Sequence, residues 1–223
     1  MPRLSCAADT AARTSIHVND RATVHVIDDD ISPREALDLL FSSIGLDVRT
    51  YPSVQEFLNA GPHDRLGCIV LDVRLPGMNG LDFQARRDGL GIHLPIVLMT
   101  GYGDVPMSVR AMKAGAVDFL PKPFRDQDMI DAVAAAIERD RQRRATEKAS
   151  AEIRERYAGL TPRQRQVMML VTAGKMNKQV AFDLGLSEIT VKTYRGVVMQ
   201  KMGARNFANL VRIAESLAGM GMP

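Results

Sequence analysis

The chain has 223 residues, 46% hydrophobic and 25% charged, with a formal net charge of +3. That composition is ordinary for a globular protein and excludes a disulfide scaffold or a chain too polar to form a core. No apolar run reaches the roughly 18 residues of a membrane helix. Residues 1–21 lack the apolar centre of a secretory signal and read as a disordered leader. The net charge is unevenly placed: residues 22–124 carry 9 Lys/Arg against 13 Asp/Glu, and residues 160–223 carry 9 against 3. An acidic front and a basic back imply different partners, and the basic back suits nucleic acid.

Thr23-Val24-His25-Val26-Ile27 is a β-branched run that ends in Asp28-Asp29-Asp30. A helix is predicted from Ser32-Pro33, with Ser32 as its cap, carrying Ala36, Leu37, Leu40, Phe41 and Ile44 at helical spacing to a stop at Gly45. Residues 46–51 read as a strand and 53–60 as a second helix. Cys68 to Leu71 is an uninterrupted apolar run that delivers Asp72 and is closed by Pro76-Gly77. Such a run reads as a strand buried on both faces. A third helix is predicted over 80–88, a buried strand over 95–99 leading to Thr100-Gly101, and a fourth helix over 105–114. Residues 117–120 make a fifth strand running into Pro121-Lys122-Pro123, and a last helix starts near Asp126. The alternation is (βα)5, which calls for a parallel sheet flanked by helices.

Ligands bind in open α/β sheets at the carboxyl ends of the strands. Asp28 and Asp29 end strand 1, Asp72 ends strand 3, Thr100 ends strand 4, and Lys122 follows strand 5. Taken singly these are a solvated turn, a strand-end cap and a surface lysine; together they converge on one crevice. Gathered carboxylates must hold protons or a cation, and an all-oxygen set favours a hard ion such as Mg²⁺. A nearby ammonium and hydroxyl suit an incoming phosphoryl group, with Asp72 as nucleophile. An aspartyl-phosphate phosphatase wants a second acid two residues after the nucleophile, where this chain has Arg74. The histidines receive no role, and Cys68 reads as a core residue, in keeping with a reducing cytoplasm.

In Asp28-Asp29, Asp72, Thr100, Phe119 and Lys122-Pro123 the front of the chain resembles the response-regulator receiver family. The resemblance implies a flavodoxin-like fold with strand order 2-1-3-4-5, and phosphorylation of Asp72 by a sensor histidine kinase. It implies that Mg²⁺ is held by Asp29, Asp72 and the Arg74 backbone carbonyl, with Asp28 reaching it through water. Lys122 would pair with the phosphoryl group, and its peptide bond to Pro123 would be cis. Thr100 and Phe119 would be the switch pair, the hydroxyl moving to the phosphate as the ring turns inward.

Residues 126–157 contain no Gly or Pro; they begin amphipathic (Met129, Ile130, Val133, Ala136, Ile137) and turn almost wholly charged from Glu138. The second part reads as an exposed helical linker or a short coiled-coil arm, the solvated linker being favoured. Beyond it, Thr161-Pro162 caps a helix with the stripe Val167, Met168, Leu170 and Val171, ending at Gly174. A second helix spans 177–184, Gly185-Leu186-Ser187 is a tight turn, and a third spans 188–202 with Val191, Tyr194, Val198 and Met202 inward and Lys192, Arg195 and Lys201 opposite. A fourth runs from about 206 to 217. A short glycine turn between two helices, the second basic outward, makes a helix-turn-helix.

Leu160-Thr161-Pro162-Arg163, Asn177-Lys178, Thr190-Val191-Lys192 and Lys201-Met202 resemble the LuxR-type output domain, and the whole chain resembles the FixJ/NarL class of two-component response regulators. The resemblance implies that Lys192 and Thr193 face base edges, while Asn177, Lys178, Thr190 and Arg195 position the DNA backbone. Gln164 stands where an acid is usual, Tyr194 replaces a common His, and Gly196 occupies a position where some relatives carry a base-reading lysine. The expected division is a leader (1–21), receiver (22–140), linker (141–158) and DNA-binding domain (159–223). The expected protein is a cytoplasmic, non-enzymatic transcriptional regulator, gated by phosphorylation of Asp72. Its partners would be a sensor kinase, promoter DNA, a second copy of itself and RNA polymerase. Two other readings remain open at this point: a DNA-binding regulator indifferent to phosphorylation, and a phosphate sink for a kinase.

Overall fold

The computed structural model describes residues 21–101 and 105–221. The expected leader, but for Arg21, lies outside the described residues. The chain divides into two compact units that meet between Gln142 and Arg143.

The first unit holds a five-stranded sheet of β1 (Thr23–Ile27), β2 (Asp47–Tyr51), β3 (Gly67–Asp72), β4 (Ile96–Thr100) and β5 (Asp118–Pro121). All neighbours are parallel and the order is β2-β1-β3-β4-β5. The helices are α1 (Ile31–Ser43), α2 (Val54–Asn59), α3 (Gly80–Arg86), α4 (Val105–Lys113) and α5 (Asp126–Ala158). Side chains alternate across a strand, so each buried strand feeds two cores. Ile69, Leu71, Ile96 and Leu98 pack with Phe57, Phe83 and Ala111 on one face. Cys68, Val70, Val97 and Met99 pack with Leu37, Phe41, Met129 and Val133 on the other. That is why β3 and β4 read as continuous apolar runs; β1 is buried along its length too but carries Thr23 and His25.

The cap of α1 is Asp30, not Ser32: Asp30 is extended, and its carboxylate accepts the Ser32 N–H at 3.0 Å. The third acid of the triplet is thereby committed to the helix end. The third helix is also shorter than predicted, a 3-10 turn taking over at Arg87–Leu90. Gly80 opens α3 because a Cβ there would lie 2.4 Å from the Asp72 carbonyl oxygen. No larger residue lets this helix start so close to β3.

The charged half of α5 departs most from expectation. Asp140 is fully buried, and its carboxylate accepts the Gly67 N–H at 3.1 Å. A carboxylate can be buried when it is paired and hydrogen-bonded, so polarity alone misjudges this turn. Elsewhere the charges are exposed or half-buried and are joined along the helix, as in Glu138–Arg141 and Arg143–Glu147.

The second unit contains α6 (Pro162–Thr172), α7 (Asn177–Leu184), α8 (Glu188–Lys201) and α9 (Phe207–Gly219). Its core joins Val167, Met168, Val171, Val180, Val191, Val198, Met202, Leu210 and Leu217, and takes in Ile153 and Tyr157 from the end of α5. Gly185 between α7 and α8 has φ +63°, a left-handed conformation that glycine adopts without Cβ strain. Lys201 is exposed, as expected, and donates to the Gly159 carbonyl at 3.0 Å and to Gln164 Oε1 at 3.1 Å. It lies in the last turn of its helix, within reach of the preceding loop, so its role is structural.

Candidate functional site

Strand β1 lies between β2 and β3, so the connections leaving β1 and β3 part to opposite sides of the sheet. A crevice opens at their carboxyl ends. Asp28, Asp29 and Asp72 stand there with one carboxylate oxygen each, all within 4.8 Å of one another. Asp28 and Asp72 are buried and Asp29 is exposed. Lys122 Nζ donates to Asp28 Oδ2 at 2.6 Å and to Asp72 Oδ2 at 3.2 Å. The Lys122–Pro123 bond is cis. Arg74 contributes its backbone N–H to Asp72 Oδ1 at 3.3 Å; its side chain is exposed.

Burial pushes the Asp72 carboxyl above its ordinary value; Lys122 pulls it down, and the Asp28 charge adds to the rise. Burial by itself would lower the Lys122 ammonium. The hydrogen bond to Asp28 and the two carboxylate charges outweigh that effect and hold it above its ordinary value. Three carboxylates face one ammonium, a charge deficit that suits a divalent cation, and the donor set is all oxygen. The residues fit Mg²⁺.

Thr100 is fully buried at the end of β4, one residue past the Met99 that pairs with Asp72. Its carbonyl accepts the Lys122 N–H at 2.7 Å, which ties the end of β4 to the lysine. Phe119 lies on β5 opposite Leu98, partly buried against the α3/α4 side of the core. Sequence reading missed Arg34, whose guanidinium donates to the Asp28 carbonyl oxygen at 2.6 Å. The only signal was its place in the first turns of the helix that follows the acids.

In the second unit, Lys178, Lys192 and Thr193 are exposed, while Asn177, Thr190 and Arg195 are half-buried. Arg195 donates to Asn177 Oδ1 at 2.7 Å, joining α8 to α7, and its guanidinium lies 5.1 Å from the centre of the Phe207 ring. Thr190 shares a hydrogen bond with the Ser187 cap at 2.9 Å, and Thr193 donates to the Ile189 carbonyl. Gly196 leaves open space on the outer face of α8.

The family model for the response regulator receiver domain matches residues 24–134, and that for bacterial regulatory proteins of the luxR family matches 158–214. Nodulation protein W of Bradyrhizobium diazoefficiens is 55% identical over 197 residues, covering 88% of this chain and 87% of that protein. Transcriptional regulatory protein FixJ of Azorhizobium caulinodans is 48% identical, covering 88% and 93%. Response regulator protein TodT of Pseudomonas putida is 44% identical, covering 90% and 89%. Among solved structures, the response regulator StyR aligns with TM-score 0.78 at 42% identity over 87% of this chain and 98% of its own. Full-length FixJ from B. japonicum aligns with TM-score 0.54 at 42% identity, over 89% and 98%. The chain therefore belongs to the FixJ/NarL class of two-component response regulators, and is a phosphorylation-dependent transcriptional regulator with a receiver and a LuxR-type DNA-binding domain.

Proposed function

We propose that Asp72 is the phosphoacceptor. The observation that carries this is the meeting of Asp28, Asp29 and Asp72 within 4.8 Å, with Lys122 bridging Asp28 and Asp72. A carboxylate oxygen of Asp72 forms the new P–O bond while the P–N bond of a kinase phosphohistidine breaks, the imidazole nitrogen leaving with the electron pair. Asp28, Asp29, Asp72 and the Arg74 carbonyl would hold Mg²⁺, as receiver domains generally do at an acidic pocket. The bound ion would neutralise phosphoryl oxygens. Lys122 pairs with the transferred group, and Thr100 and Phe119 read its arrival as the switch pair. The receiver thus promotes only the gain and loss of its own phosphate.

We assign the receiver to residues 22–140, the linker to 141–158 and the DNA-binding domain to 159–223. Phosphorylation promotes pairing of two copies through the α4–β5–α5 face, which exposes Val105, Val109 and Met112. The paired α8 helices then read half-sites about one helical turn apart. Lys192 and Thr193 face base edges; Asn177, Lys178, Thr190 and Arg195 fix the backbone, and RNA polymerase is the further partner. A cytoplasmic place of work is in keeping with a regulator of this family; among the described residues no helix is long and apolar enough to cross a membrane.

The test replaces Asp72 with Asn. Asp72→Asn takes no phosphate from the kinase or from phosphoramidate, and stays at its basal oligomeric state and operator affinity. Labelling of the variant at the wild-type level, read by intact mass, would refute the assignment.

A further inference from the structure

The acid turn after β1 depends on more than its carboxylates. The Asp28 N–H closes the ladder on the Tyr51 carbonyl at 3.1 Å, Oδ1 accepts the Asp30 N–H at 2.9 Å, and Oδ2 accepts Lys122. The Asp28 carbonyl lies past the last β1–β3 register pair, Ile27 with Leu71, so the sheet offers it no donor there. Arg34 supplies the donor at 2.6 Å. This arginine sits in the second turn of α1, a helix anchored in the core by Leu37 and Phe41. A helix seated on the core by these two side chains therefore holds the main chain at the residue where the two acids read as cation ligands diverge, one inward and one exposed.

We propose that Arg34 is a positioning residue for the cation site: by fixing the Asp28 carbonyl it sets the direction of the Asp28 and Asp29 carboxylates, and with it the affinity for Mg²⁺. The inference rests on the reading of the acids as the Mg²⁺ site. It involves no contact between Arg34 and the ion, and its net effect is set by two opposed terms. Removing the guanidinium takes a positive charge away from the acids, which favours the cation. Removing it also frees the turn, which disfavours the cation. A group that orients metal ligands typically accounts for 10- to 100-fold in metal affinity, so orientation should win.

The experiment compares the full chain with Arg34→Met, which keeps the stem and loses the donors, and Arg34→Lys, which restores one donor and the charge. Mg²⁺ binding is measured directly by calorimetry, and phosphorylation by phosphoramidate is followed across Mg²⁺ concentrations. Arg34→Met should weaken Mg²⁺ about 10-fold and raise the half-saturating Mg²⁺ by the same factor. Its rate at saturating Mg²⁺ should stay within about twofold of wild type, as for loss of binding alone. Arg34→Lys should recover part of the affinity. Unchanged or tighter Mg²⁺ binding in Arg34→Met overturns the proposal, as does a fall in the saturated rate that Lys does not relieve, which marks general damage. A wild-type chain that binds no Mg²⁺ removes both this inference and the reading of the acids beneath it.

Discussion

His25 shows how burial decides the chemistry of a residue with no part in phosphorylation. It lies in β1 at 3% exposure, its Nδ1 3.1 Å from the Tyr51 hydroxyl and its ring 4.8 Å from that of His63. Burial, with smaller contributions from His63 and Arg49, lowers its pKa to about 3, and burial lowers His63 as well. Between pH 6.5 and 3 the unfolded chain takes a proton that the folded chain refuses. Stability is therefore independent of this group above pH 6.5 and is lost as the pH falls below it, by about 1.4 kcal/mol per unit. His25→Phe should show a shallower loss of receiver stability between pH 6.5 and 5, whatever its absolute stability. Urea titrations followed at receiver resonances by NMR measure the slope; equal slopes in both proteins would discount His25 as the source.

Among the elements, α5 is the one whose polarity misleads. Its first turns bury Met129, Ala132, Val133, Ala136 and Ile137 as an amphipathic pattern requires. Asp140 then extends the buried face by one more turn through the Gly67 N–H, at the start of the strand that ends in Asp72. Asp140→Ala leaves that N–H buried without its partner, at a cost of about 1–3 kcal/mol. Hydrogen exchange should speed up at the first β3 amides and at the Ile137–Asp140 turn. Protection unchanged at both would show the buried carboxylate to be dispensable. The short α6 makes a similar point: Gln164 Oε1 accepts the Thr161 N–H to complete a capping box and also receives Lys201. A neutral amide thus ties α6 to α8 at a position where an acid is usual.

For the molecule as a whole, an acidic receiver and a basic output domain divide the labour by charge. The contact types make separable predictions. Lys178→Ala, at the proposed backbone contact, should weaken all DNA sequences about equally and reduce the salt slope of binding by about one. Lys192→Ala, at the proposed base contact, should cost about 1–3 kcal/mol on the preferred operator and relax selectivity at one base position. Binding-site selection at two salt concentrations distinguishes them. If Lys192→Ala loses affinity evenly across sequences, the assignment of α8 as the reading helix through that residue is wrong.

What was legible in the chain was whatever depends on neighbours in sequence. The β-branched run of β1, the apolar runs of β3 and β4, the stripes of the helices, the Thr161 cap and the Gly185 turn are local regularities, and parallel topology follows from their alternation. Asp28, Asp29, Asp72, Thr100 and Lys122 could be placed at one edge because strand ends in a parallel sheet share an edge. What only the tertiary structure decided were pairings between groups far apart in sequence or chosen among equivalents: which acid of the triplet caps α1, where the Arg34 guanidinium reaches, Asp140 on Gly67, Lys201 on Gln164, and Arg195 on Asn177. Such partners are defined only once the sheet and helices have met; the Asp28 carbonyl and the Gly67 N–H, for example, are served from α1 and α5 and not by a neighbouring strand.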